Sequence, residues 1–193
     1  MQLVSNEEAQ KLINDEKLII TPILDNNQIG ETGIDLRIGN TFRMSKQTRD
    51  PYIDVYNKYI DRFFDVTYRD FGEDFIIYPN QLVLASTFEF IKLPNNIMGQ
   101  VYTRSSINRL GINISSIVQP GYSGTLTLEL INHGENAIKL KSGMRLVQLV
   151  LFDIERDDFI SYSNINNAKY IANVEPKTSN IYEDKDLEIL RKI

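Results

Sequence analysis

The chain has no cysteine and a single histidine, His133. No disulfide can form, and no thiolate metal site can be built. A catalytic zinc centre normally draws several protein ligands from His, Cys and carboxylates, so zinc chemistry on His and Cys ligands is close to excluded. Long apolar runs are also missing. Nothing approaches the roughly 18 residues that a membrane helix needs. The opening "MQLVSNEEAQ" has neither the basic nor the apolar region of a secretion signal, so a cytoplasmic location is the default expectation. Basic excess is absent too: the net charge is −5, which argues against a broad nucleic-acid face. Any anion site must therefore be local.

What is present suits one globular domain with a substantial core: 193 residues, 42% of them hydrophobic. "SNEEAQKLI" opens with Ser5 and, three residues on, Glu8, the pattern of a capping box. Ala9, Leu12 and Ile13 then supply an apolar stripe, which predicts a short amphipathic helix over residues 6–15. Helical patterns are scarce after it. "GIDLRIG" (33–39) alternates Ile34, Leu36 and Ile38 with Asp35 and Arg37, as a half-buried strand does. "DFIIYPNQLVLASTFEFIKLPNNIMGQVYT" holds three strand-like runs broken by Pro-Asn turns. "TLTLELIN" and "MRLVQLVLFDI" are two more, joined by "HGENAIKLKSG", which has turn signals and a short strand of its own. Many short strands at close spacing predict an all-β sandwich or barrel. Residues 45–70 are polar and tyrosine-rich and read as an insertion or long excursion. From Ser161 the chain becomes Asn-rich, and "EDKDLEILRKI" closes it as a short amphipathic helix candidate.

Two stretches carry candidate chemistry. "YTRSSINRLG" (102–111) crowds Arg104, Ser105, Ser106 and Arg109 at the end of a strand. It reads either as a solvated turn or as a cradle for an anion. In "GTLTLELIN" the period of two puts Leu126, Leu128 and Leu130 on one face and Thr125, Thr127 and Glu129 on the other. Glu129 then faces either solvent or a pocket. His133, in "NHGEN", is assigned to a hairpin turn.

In order along the chain, "ETGIDLRIG", "RSSINRLG", "QPGYSGTLTLELINHG", "IKLKSGMRLVQLVLF" and "YSNINNAKYIANVEPKTS" resemble the dCTP deaminases of the trimeric dUTPase-like superfamily. The resemblance implies a mainly β fold, a distorted β-barrel or jelly-roll with a short N-terminal helix and a C-terminal arm. The β domain would span 1–160, and 161–193 would be the substrate-closing arm. It implies a homotrimer with active sites between subunits and a reaction that converts dCTP to dUTP and ammonia without zinc. Mg²⁺ is implied only as a companion of the triphosphate, held mainly by phosphate and water oxygens. No nucleic-acid or membrane partner is implied.

Residue by residue, the resemblance makes Glu129 the carboxylate that takes a proton from the attacking water. Ser105 matches the water-positioning serine, and Arg109 the arginine lining the same pocket. Arg104 and Ser106 match triphosphate-holding positions, where guanidinium forks and hydroxyls suit phosphate oxygens. Thr127 and Leu128, beside Glu129, fall among the substrate-binding positions. So do Tyr162 and Lys169, seven residues apart, and Asn173, which stands where the family pattern has a glutamine. There are two departures from that pattern. The segment between Arg109 and Glu129 is a few residues shorter, leaving "LGINISSIVQ" as the base loop, with Asn113, Ser115 and Ser116 as its side-chain donors and acceptors. Gln119 stands where the superfamily usually has an aspartate that contacts the sugar and, in dUTPases, activates water. A neutral amide can hydrogen-bond a hydroxyl but cannot act as a base. The resulting expectation is a dCTP deaminase that leaves the triphosphate intact. Two rivals stand beside it: a non-catalytic or altered-specificity nucleotide-binding protein of the same fold, and a bifunctional enzyme that also hydrolyses dUTP.

Overall fold

In the computed structural model, residues 1–154 and 173–184 are described. The strands are β1 (Gln2–Leu3), β2 (Ile19–Thr21), β3 (Ile34–Ser45), β4 (Phe64–Tyr68), β5 (Asp74–Ile77), β6 (Leu82–Thr87) and β7 (Phe90–Lys92), followed by β8 (Ile97–Thr103), β9 (Ile112–Asn113), β10 (Ser115–Val118), β11 (Ser123–Gly124), β12 (Thr127–Asn132), β13 (Ile138–Lys141) and β14 (Arg145–Asp153). The helices are α1 (Asn6–Asn14) and the single turn α2 (Ser105–Asn108). The fold is mainly β, as expected. The N-terminal helix is capped as its sequence predicts, with the Ser5 hydroxyl accepting from the Glu8 N–H.

One long sheet organises the molecule, in the order β10-β8-β14-β3-β6-β12-β9. Its hinge is β3, which runs on past the expected "GIDLRIG" to Ser45. Residues 34–37 of β3 pair with β14, and residues 38–44 pair with β6. The register breaks between Ile38 and Phe42, so the strand leaves one layer and enters the other. Gly39 sits at this corner, where a Cβ would come within 2.9 Å of the Ser86 hydroxyl. The sheet's two end strands, β9 and β10, are separated in sequence by one residue, Ile114, whose N–H donates to the Thr103 hydroxyl at 2.7 Å. The sheet therefore curls into a half-barrel whose ends are a single covalent segment.

Inside the curl, Leu36, Ile38, Phe42, Ala85, Leu128 and Leu130 are fully buried. Phe42 stacks on Phe75 with ring centroids 4.2 Å apart. At the corner lies a buried polar cluster. Glu89 accepts from the Arg37 backbone N–H at 2.8 Å and from the Gln28 amide at 2.8 Å, and its carboxylate lies 3.4 Å from the Arg37 guanidinium. The Arg37 guanidinium also donates to the Gln28 carbonyl. No buried side-chain polar atom among the described residues lacks a partner.

Several local expectations change. Residues 102–111 do not form a simple turn, because 105–108 close one helical turn. The excursion 45–70 ends in β4, which pairs with β3, and it contains a 3₁₀ turn at Ile60–Phe63. The "LGINISSIVQ" segment is not a loop, since most of it forms β9 and β10. Thr125 is buried instead of sharing the outward face of Glu129. It precedes the strand, and its hydroxyl donates to the Asn173 carbonyl at 3.0 Å. All of the C-terminal helix candidate beyond its first two residues, Glu183 and Asp184, lies outside the described residues.

Burial pushes the Glu89 carboxyl above its ordinary value of 4.5, against the pull of the Arg37 N–H and guanidinium. A carboxyl raised on folding stabilises the fold below its unfolded pKa, and that contribution is lost as pH rises through the folded value. Wild-type stability should therefore fall, relative to Glu89→Gln, as pH rises from about 4.5 toward neutrality. Urea titrations of both proteins across that window measure the slope. Glu89→Ala, which leaves Arg37 beside an empty site, should cost about 3–5 kcal/mol at neutral pH.

Candidate active site

Along β12 the alternation holds: Leu128, Leu130 and Asn132 point inward, and Thr127, Glu129 and Ile131 point outward. Glu129 pairs across the sheet with Leu84 of β6. Thr127, Glu129, Ile131, Leu82 and Leu84 form the floor of a groove of about 720 Å³. Leu128 also lines it, and Gln119 and Ser116 edge it from β10 and the turn after it. Gln119 opens that turn: its carbonyl accepts from the Tyr122 N–H at 3.1 Å, with Pro120 and Gly121 between them and Gly121 at φ 73°. Proline followed by a positive-φ glycine is the composition of a type II turn. This geometry leaves the Gln119 side chain exposed on the groove rim.

A second cavity, of about 260 Å³, lies by the start of α2. Arg104, Ser105, Ser106, Asp35 and Gln148 line it. The Arg104 N–H donates to the Leu146 carbonyl at 3.1 Å, which anchors the turn to β14. Its Nε lies 3.2 Å from Asp35 Oδ2, and the same oxygen is 3.6 Å from Arg145 Nη1. Two guanidiniums share one carboxylate, so the cluster keeps a net positive charge and the Arg104 side chain is held in place. Arg109 closes α2 and is exposed, but it lines neither cavity.

The structure thus gathers Glu129, Gln119, Thr127 and Leu128 in one groove and Arg104, Ser105 and Ser106 in another. Asn173 reaches the first group through its backbone: its carbonyl accepts from the Thr125 N–H at 2.8 Å as well as from the hydroxyl. Asn113 is exposed on β9 and lines neither cavity. Tyr162 and Lys169 lie outside the described residues. Sequence reasoning missed Asp35, Arg145 and Lys177. Asp35 stood in the polar phase of "GIDLRIG", a signal for exposure that equally suits a cavity wall. Lys177 lies within "YSNINNAKYIANVEPKTS", where its own neighbours gave no signal of a role. Among the described residues, no group of three His, Cys, Asp or Glu is placed to hold a metal. Likewise, no helix among them is long and apolar enough to cross a membrane.

Residues 3–154 match the family model described as dCTP deaminase-like. The chain belongs to the dCTP deaminase family. A relative in Methanobrevibacter smithii, named "dCTP deaminase, dUMP-forming", is 32% identical over 193 residues, 97% of this chain and 100% of that protein. The "dCTP deaminase" of Thermomicrobium roseum is 34% identical, with 98% of each chain aligned. The crystal structure of the 2′-deoxycytidine 5′-triphosphate deaminase of Agrobacterium tumefaciens shares the fold, with a TM-score of 0.61 at 20% identity. The match covers 78% of this chain and 47% of that one.

Gly124, just before β12, has φ 148°, and a Cβ there would meet the Asn173 N and O and the Tyr122 hydroxyl, each at 3.1 Å. Gly124→Ala should cost about 1–3 kcal/mol from backbone strain and displaced contacts. Chemical denaturation against wild type measures the loss.

Proposed function

We propose that this chain hydrolytically deaminates dCTP to dUTP and ammonia, with Glu129 as general base. The observation that carries the reading is a carboxylate on the outward phase of β12, set in a groove roomy enough for a nucleotide, in a chain of the dCTP deaminase family with no cysteine and one histidine. Nucleobase deaminases that use zinc acidify water with the metal before it attacks the ring. Without His and Cys ligands that work falls to a positioned base. Glu129 takes a proton from water as its oxygen adds to C4 of the cytosine. The carboxyl then returns the proton toward the departing nitrogen, the C4–N bond breaks, and ammonia leaves with uracil as the remaining base. Ser105 would position the water and Arg109 the polar reacting groups. Arg104, Ser106, Lys169 and Tyr162 would hold the triphosphate, which arrives as its Mg²⁺ complex, with the ion held by phosphate and water oxygens. Thr127, Leu128, Gln119 and Asn173 would contact the nucleoside.

The Arg104 cavity and the Glu129 groove share no lining residue. This supports an assembly in which the cradle of one subunit completes the groove of the next, and we take it to be a homotrimer. Light scattering should then give about three times the 22.3 kDa chain mass. An active monomer would refute it.

Glu129→Gln should lower ammonia release by about 10²–10⁴-fold while leaving dCTP binding nearly intact. Turnover within a few-fold of wild type would show that another group is the base.

A second reading, deamination followed by hydrolysis to dUMP, is favoured by the dUMP-forming names of several relatives. Gln119 favours the first, because an amide at the groove rim cannot activate water against a phosphate. Phosphorus NMR of a dCTP incubation separates them: an intact triphosphate on uracil is expected, and stoichiometric pyrophosphate would establish the second reading.

A further inference from the structure

The wall of the Glu129 groove opposite β12 is built by parts of the chain that the reaction above does not use. Ile53, Val55, Ile60 and Phe64 come from the 45–70 excursion, and Lys177, Thr178 and Ser179 from the segment after Asn173. Along that segment burial alternates: Pro176 and Thr178 are buried, while Lys177 and Ser179 are exposed. Three successive residues are held by three different elements. The Pro176 carbonyl accepts from Arg43 Nε of β3 at 2.7 Å. The Lys177 N–H donates to the Thr127 hydroxyl of β12 at 3.3 Å. The Thr178 hydroxyl donates to the Asp61 carboxylate in the 3₁₀ turn, and Asp61 is itself 3.4 Å from Arg43 Nη1. The ion pair between excursion and strand thus grips the residues on either side of Lys177.

Lys177 is the one cation among the described residues lining the groove, and Glu129 is the one carboxylate. A nucleoside triphosphate is a polyanion, and a groove carrying Glu129 alone would repel it. An ammonium is a compact point charge suited to phosphate oxygens. We propose that Lys177 is a further binding residue for the nucleotide's phosphate chain. Asp61, acting through Thr178 and braced by Arg43, is the residue that positions it. The 45–70 excursion is then the anchor of a strap across the groove. The Lys177 contact rests on the nucleotide reading above. The strap rests on geometry alone.

Two assays on the full-length protein test the pair. Calorimetric titration with dCTP and with dUTP, both in MgCl₂, should show Lys177→Met weakening each nucleotide by about tenfold, with Lys177→Arg recovering most of it. In turnover the loss should fall on KM rather than kcat, as for a group that binds ground and transition states alike. Affinity within twofold of wild type would overturn the contact. So would a loss seen only as a shifted pH profile of kcat, because Lys177 would then act on Glu129. The strap has its own readout, tryptic cleavage of the Lys177–Thr178 bond followed by mass spectrometry. Thr178→Val and Asp61→Ala should speed it by about threefold or more, and Thr178→Ser should not, because an anchored segment is cut mainly when it opens. Unchanged cleavage in both variants overturns the strap. A wild-type protein that binds neither nucleotide sinks the functional reading and the Lys177 contact with it, while the cleavage rates still decide the strap.

Discussion

The contact on which the architecture depends is the Glu89 carboxylate against Arg37. At Arg37, β3 gives up one partner strand and takes another, so its peptide groups cannot stay in one ladder. Both are caught by the turn between β6 and β7: the Arg37 N–H by the Glu89 carboxylate, and the Arg37 carbonyl by the Phe88 N–H at 2.8 Å. A buried peptide group left unpaired is costly, and a backbone corner deep in a protein needs acceptors and donors supplied from elsewhere. The same turn reaches β12. The Thr87 hydroxyl donates to the Glu89 carbonyl and accepts from the Leu126 N–H at 2.9 Å, one residue before β12 begins. A short chain of hydrogen bonds therefore runs from the corner of the half-barrel to the strand that carries Glu129.

Much of this was legible because periodicity is local. Leu128, Leu130 and Glu129 needed only their neighbours to be assigned faces, and Ser5 with Glu8 marked a helix start without knowledge of the rest. The corner was not legible. Arg37 looks like any outward residue of "GIDLRIG", and Glu89 lies 52 residues away, so their meeting is a tertiary fact. The same holds for Thr125. By alternation it belongs with Glu129, but its hydroxyl is claimed by the Asn173 carbonyl from the far end of the described chain. The excursion 45–70 read as polar and unpatterned because its buried residues, Ile60 and Phe63, are few. Its structural role rests on Asp61, a residue type that by itself suggests only solvent.

Family membership and geometry inform different levels. The match over residues 3–154 establishes kinship, and the half-barrel shows how that kinship is folded. Gln119 owes its place on the groove rim to the Pro120–Gly121 turn and not to the strands. The connection between Arg109 and Glu129, by contrast, is built into the β framework as β9 and β10.

That connection has a mechanical consequence. Because a single residue separates β9 from β10, the two margins of the sheet cannot drift apart by losing hydrogen bonds. They are held together by peptide linkages on either side of Ile114. The margins themselves are only two and four residues long, too short to template a neighbouring molecule's strand. The one-residue seam thus keeps the open rim of the half-barrel from serving as a site of edge-to-edge aggregation.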